Sequence, residues 1–383
     1  MPMIMELSLG RGQVEGSGVA GGTAAKQRMD GLVNLCSSPR APETIRRKKQ
    51  PAALNPRWGR SRKLRYPPWA ECNQGSLSMT INDHIDRFAG KPIRNYEPGK
   101  PVDAAAFTYR LAIEYDSEVG MDALLAQFLS EADAAAVDAL VIGAWNEPYD
   151  ASAQSALDAL VANADRLVNL RALFVGEMTV EECEISWIVQ GSYGGLLKAY
   201  PDLEELVIRG GNDLDLAPFQ HARLKRLTVQ SGGLRSEIVR NIAASTLPAL
   251  EHLELWLGDE GYGFDGDVAL FRDELFANGK PPALRSLGLV DSEIADELAE
   301  WLAATPWVAD LDALDLSLGT IGDAGAEALA ASPYVRELAE LKLAHHYISE
   351  PVQARLQALP VAVDLRDAQE ADEDGDRYVA VSE

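Results

Sequence analysis

The sequence predicts an α/β solenoid, in which stacked strand–turn–helix units line one side with a parallel sheet and the other with helices. Two observations carry this. First, the pattern Leu-x-x-Leu-x-Leu, with Val or Ile allowed for Leu, occurs eight times in order. The copies are Val137–Ile142, Leu170–Val175, Leu203–Ile208, Leu224–Val229, Leu250–Leu255, Leu284–Leu289, Leu311–Leu316 and Leu338–Leu343. Their first positions lie 33, 33, 21, 26, 34, 27 and 27 residues apart, the spacing of a structural repeat. Second, segments with 3.6-residue apolar periodicity fall between copies, as in 152–164, 292–304 and 323–332.

Within each copy, alternation puts positions 4 and 6 on one side of a short strand and positions 3, 5 and 7 on the other. Positions 4 and 6 are apolar in all eight, so that side is core. Position 11 is apolar again at Val180, Leu234, Ile294, Ile321 and Ile348. A strand candidate at 107–115 and a helix candidate at 121–130 predict an N-terminal cap over 79–136, because an end repeat would otherwise expose its apolar face.

On these residues the chain resembles the leucine-rich-repeat proteins over about 137–365. The units at 284–343, with LDALDLSLGTIGDAGAEALAAS, look like the ribonuclease-inhibitor type. The resemblance implies an irregular horseshoe with strands concave and helices convex. EECEISWIVQ (181–190), LVIRGG (206–211) and the ending RYVAVSE resemble an uncharacterised bacterial family of such proteins, which implies no reaction. The usual Asn or Cys of position 9 is replaced by Met178, Gly211, Gly232, Gly258, Ser292, Gly319 and His346. A regular buried asparagine ladder is therefore not expected, and glycine there suits a tight turn.

Charge divides the chain. Of 383 residues with net charge −24, residues 1–78 hold 13 Lys/Arg and five acids, a net of +8. Residues 79–383 keep 22 bases and 54 acids, a net of −32. The first segment lacks hydrophobic periodicity and reads as a disordered basic leader. It suits a functional arm that binds nucleic acid or folds back on the acidic body, a dispensable tail, or sequence upstream of a natural start at Met79; the last is the reading adopted. The acidic body repels phosphate backbones and anionic lipid, so no nucleic acid and no membrane partner is expected for 79–383. No apolar run reaches membrane-spanning length and no signal peptide is read, which gives a cytoplasmic expectation.

Function should sit on positions 3, 5 and 7. Large, basic and aromatic side chains concentrate there in the middle repeats: Arg209, Arg226, Gln230, His252, Glu254 and Trp256, with Phe174 at the edge. Arg and Trp are favoured at binding hot spots because they bury large area and aim directed donors. These seven residues form the candidate binding patch, set against ordinary solvation with Glu205 and Arg226 pairing across strands. Catalytic signals are absent from the motifs: no nucleophile elbow, no phosphate loop, no metal-ligand spacing at His345-His346. Glu182 and Glu184 disfavour a thiolate at Cys183. The loop 258–267 lacks the Gly and Glu of a calcium loop. The aspartates at 372, 374 and 376 read as a solvated acidic tail over 366–383. The expectation is a scaffold without catalysis, cofactor or metal that binds a protein or peptide, basic by preference, on its concave face. An accessory subunit that presents a peptide or small substrate to a separate enzyme is the alternative.

Overall fold

The computed structural model describes residues 81–114 and 117–382, within one compact unit, Leu64–Glu383. The leader at 1–78 and its boundary at Met79 lie outside the described residues. Among the described residues, twelve strands form one open sheet whose spatial order is the chain order. β1 (Arg87–Phe88) and β2 (Lys91–Asn95) pair antiparallel around a turn at Ala89 and Gly90, whose φ values are 49° and 78°. From β2 on every pairing is parallel. β3 (Thr108–Leu111) leads to β4 (Ala139–Ile142), β5 (Ala172–Val175), β6 (Glu205–Arg209) and β7 (Arg226–Gln230). Then come β8 (His252–Gly258), β9 (Ser286–Ser292), β10 (Ala313–Asp315) and β11 (Glu340–Lys342). β4 to β11 are the eight copies read in the sequence. β12 (Ala362–Asp364) closes the series.

Register explains why the repeat needs its leucines. Leu140, Leu173, Leu206, Leu227, Leu253, Leu287, Leu314 and Leu341 pair in one unbroken row. No residue at position 4 or 6 of the eight copies is more than 1% exposed. Each such side chain fills a close-packed row, so truncating one to Ala costs about 2–5 kcal/mol.

The crossovers run on the other side. They carry α1 (Met121–Glu131), α2 (Gln154–Ala162), α3 (Gly194–Ala199), α4 (Ser236–Ala243), α5 (Ala295–Ala303), α6 (Asp323–Ala331) and α7 (Glu350–Gln357). A π-helical stretch at Leu270–Leu275 serves between β8 and β9. The β6–β7 connection has no helix; at 21 residues it is the shortest spacing in the series. None of the helices among the described residues is long and apolar enough to cross a membrane.

No asparagine ladder serves the turns after the strands. Unlike side chains satisfy the turn carbonyls in its place, with Arg209 donating to Met178, Gln190 to Arg209, Asn212 to Ser186 and Thr320 to Glu293. Of the position-9 glycines, Gly258 takes a left-handed φ, +70°. The others do not; a Cβ at Gly211, Gly232 or Gly319 would stand 2.3, 2.4 or 2.6 Å from a neighbouring oxygen, so close approach is what keeps a side chain out.

Candidate functional site

The concave face consists of two kinds of surface. In β4 to β6 the concave positions are mostly apolar: Ala139, Val141, Ala172, Phe174 and Val207 form one cluster, with the charged Glu205 and Arg209 at the two ends of β6. The segment before β1 is turned back by the β1–β2 hairpin and covers them, with Phe88 packed in their cluster and Ile85 against it. The Phe88 and Phe174 rings lie 6.1 Å apart.

Beneath this cover lies a buried charge network that the sequence pattern does not reveal. Arg110, on the concave side of β3, donates Nε to Glu177 at 2.5 Å and Nη2 to both oxygens of Glu182 at 2.9 and 3.0 Å. Gly143 makes the room, since a Cβ there would stand 2.8 Å from the guanidinium carbon. Glu177, fully buried, also meets His84 Nδ1 at 3.2 Å and accepts from the Ile85 N–H at 3.0 Å, so the charge network ties the covering segment down. Burial opposes ionisation of Glu177. The His84 hydrogen bond and the charges of Arg110 and Arg209 outweigh it and hold the pKa at about 2.

Two members of the predicted patch belong to this interior. Phe174 is 3% exposed and Arg209 4%. Arg209 donates to the Met178 carbonyl and to Gln230 Oε1 at 2.8 Å, and its guanidinium lies 5.3 Å from the Phe174 ring centre. Burial lowers its pKa to about 10, a shift that Glu177 and Glu182 limit. Both residues were expected on an accessible surface. The covering segment buries them instead.

From β7 to β11 the face is mostly polar: Arg226, Gln230, Glu254, Asp315 and Lys342 are part-exposed and Glu340 exposed, while Thr228, His252 and Ser286 are buried. Register aligns Arg226, His252, Ser286, Ala313 and Glu340 in one row, and Thr228, Glu254, Gly288, Asp315 and Lys342 in the next. Arg226 Nε meets Glu205 at 3.0 Å, the cross-strand pairing weighed in the sequence. His252 Nδ1 lies 3.0 Å from Ser286 Oγ, and its Nε2 3.4 Å from Glu254. Trp256 Nε1 donates to Glu254 at 2.9 Å, and Lys342 stands 3.5 Å from Asp315. Burial and the Arg226 charge lower the His252 pKa. Burial opposes the Glu254 charge, yet its hydrogen bonds from His252 and Trp256 hold it in the ionised form. Burial and the neighbouring Glu254 raise Asp315.

Ser286, His252 and Glu254 are connected as nucleophile, base and acid would be. They lack the surroundings that acyl transfer needs. Ser286 and His252 are each 8% exposed, and the Ser286 N–H is committed to Glu251 O at 3.0 Å. The strand ladder leaves no backbone donor beside the hydroxyl to meet an oxyanion. Cys183 offers no nucleophile either, as burial and Glu184 push its thiol up to about 11. In the 258–267 loop, Asp265 accepts from Ser236 N–H at 2.6 Å, and Asp267 from Leu270 N–H at 3.1 Å. Those carboxylates serve helix starts. Among the described residues no cluster of His, Cys, Asp or Glu is placed to hold a metal.

The rim at the C-terminal ends of the strands is closed by residues 377–382. Arg377 donates to Asp296 at 2.9 Å and to the Thr320 carbonyl at 2.7 Å. Ala380 N–H donates to Leu318 O at 2.8 Å, Val381 N–H to Asp291 Oδ1 at 2.9 Å, and Ser186 Oγ to the Ser382 carbonyl. Val381, 4% exposed, packs with Ile81, Ile185, Trp256, Val290 and Leu318. The sequence expectation of a solvated tail is therefore corrected at its end: residues 370–378 are exposed, but the apolar alternation of RYVAVSE seats Val381 in a small core. Trp256, expected at the centre of an open patch, forms the floor of that core. A half-open cavity of about 320 Å³ lies beside it, lined by Asp259, Glu293 and Arg377 among others.

Repeat, register and crossovers together define a leucine-rich-repeat solenoid of the α/β class. A crystal structure of a protein from Bacteroides fragilis is 33% identical with a TM-score of 0.64, over 68% of this chain and 74% of that one. The chain belongs to the family of that Bacteroides fragilis protein. An internalin from Listeria monocytogenes aligns over 70% of this chain and 82% of its own, at 14% identity and a TM-score of 0.23. No family model and no curated protein matches the chain.

Proposed function

We propose that the protein is a non-catalytic interaction scaffold that holds a protein or peptide on the concave band from β7 to β11. The observation that carries this reading is the contrast along one face. The β4–β6 part is mostly apolar and already covered by the chain's own residues. The β7–β11 part presents Arg226, Glu254, Asp315 and Lys342 part-exposed and Glu340 exposed, spread over two registered rows. Within the predicted patch, Arg226, Gln230 and Glu254 then belong to the partner surface, while Phe174, Arg209, His252 and Trp256 support it from below.

A basic partner fits this band. Glu254, Asp315 and the exposed Glu340 outnumber Lys342 at its far end, and the −32 of residues 79–383 steers cations inward. The rim cavity would suit the second reading, an accessory subunit presenting a small substrate, but it is half open to solvent. The helices α5 and α6 on the crossovers support the ribonuclease-inhibitor type for the units at 284–343.

Affinity capture from native lysate tests the proposal. Glu254→Lys and Glu340→Lys should each lose a partner that wild type and the crossover variant Glu327→Lys retain. Equal capture by all four proteins would remove the concave band from consideration.

A further inference from the structure

A different surface, the rim groove filled by residues 377–382, carries an inference of its own. Three features mark it. The groove reads main chain: Asp291 and Leu318 O accept the amides of residues 381 and 380, and Ser186 Oγ donates to the carbonyl of 382. It takes a single side chain, Val381, into a pocket built from parts of the chain far apart in sequence, among them Ile185, Trp256 and Leu318. The resident segment also leaves the groove incompletely satisfied, since Asp291 is fully buried and its Oδ2 has no hydrogen-bond partner. Residues 370–376 before it are exposed, and the segment is held at its start by Arg377 on Asp296 and the Thr320 carbonyl and by the Tyr378 amide on Tyr347 Oη.

We infer that this groove is a docking site for an extended segment of a partner protein, anchored by one β-branched aliphatic side chain. The chain's own 377–382 holds the place until the partner displaces it. Main-chain recognition with one side-chain pocket is the economy of extended-peptide receptors: backbone hydrogen bonds give affinity, and a single pocket selects the anchor. A partner segment with a further donor or acceptor beside its anchor pairs the idle Asp291 oxygen, which the resident does not. This gives the incoming segment its advantage over a tethered competitor. Gly232 keeps the groove floor flat, because a Cβ there would stand 2.4 Å from the Ser382 carbonyl oxygen.

The test uses the full chain and a fluorescein-labelled peptide of residues 375–383, followed by anisotropy. Val381→Asp empties the groove and leaves its walls intact. It should bind the peptide at least about tenfold tighter than wild type, whose own segment competes. A peptide with aspartate in place of that valine should not bind. Adding Gly232→Ala to the Val381→Asp protein should weaken binding again by about tenfold, because the new Cβ excludes any occupant's main chain. Equal binding to wild type and a folded Val381→Asp protein overturns the inference. So does concentration-dependent dimerisation of wild type by light scattering, which would make a second copy the occupant. Should Val381→Asp fail to fold, amide exchange in wild type decides. The Val381 amide should exchange at least about 100-fold faster than the Leu255 amide in β8, and equal protection would make the segment a fixed part of the fold.

Discussion

Replacing Glu177 by Gln should remove the charge that fastens the covering segment, with an effect that grows from acid to neutral pH. The carboxylate is fully buried and faces Arg110, His84 and the Ile85 amide. Its pKa falls from 4.5 to about 2 on folding, because those partners outweigh the burial that opposes them. A folded pKa below the unfolded value means the proton binds the unfolded chain more readily. The stabilisation is therefore complete above pH 4.5 and is lost as pH falls toward 2. At 1.36 kcal/mol per unit the shift corresponds to about 3 kcal/mol, within the range for breaking one partner of a buried ion pair. About 2 kcal/mol of that should already be gone at pH 3. Urea denaturation of wild type and Glu177→Gln at pH 7 and pH 3 reads this directly. The wild-type advantage should be about 3 kcal/mol at pH 7 and about 1 at pH 3. A gap below about 0.5 kcal/mol at pH 7, or one that does not narrow in acid, would refute the reasoning.

Three further outcomes follow from the same geometry. Phe174→Ala should cost about 3–5 kcal/mol and open residues 81–88 to limited proteolysis; unchanged cleavage there would mean that Phe88 is not held by that ring. Burial raises Asp291 well above 3.8, so the folded protein keeps a proton that the unfolded one gives up, and stability falls as pH rises above the ordinary aspartate range. Asp291→Asn should thus gain on wild type between pH 5 and pH 8 in urea denaturation, and a constant difference would contradict the assignment. Cys183, with its thiol at about 11, should alkylate at pH 8 far more slowly in native protein than in urea, as peptide mass spectrometry at that site would show.

The fold was legible because the repeat advertises its core. Position 4 is Leu in all eight copies, and period-2 alternation marks each strand without ambiguity. β3 and β12 escaped the pattern for local reasons: Tyr109 stands in the leucine row, paired with Leu140, and Pro360 precedes β12 where a branched aliphatic would be sought. The concave columns were also legible, but their accessibility was not. Covering depends on two short segments outside the repeat pattern, 81–88 and 377–382, that fold onto the sheet. A signal did exist. Ala139, Val141, Ala172 and Phe174 are apolar at positions that should face water, and Val379-Ala380-Val381 interrupts an acidic run. Both patterns point to surfaces that something covers. Arg110 could not be read, since its partners lie 67 and 72 residues away and only the register of β3 brings them together.

The central claim, that one concave face is divided into a closed part and a docking part, is tested most directly by photo-crosslinking in native extract. A photoreactive residue would be placed in turn at Glu340 on the concave band, at Val207 under the covering segment and at Glu327 on the convex helix α6. The account predicts adducts to a partner protein from Glu340, with only internal crosslinks from Val207 and none to that partner from Glu327. Partner adducts from Glu327 or Val207 without any from Glu340 would contradict it.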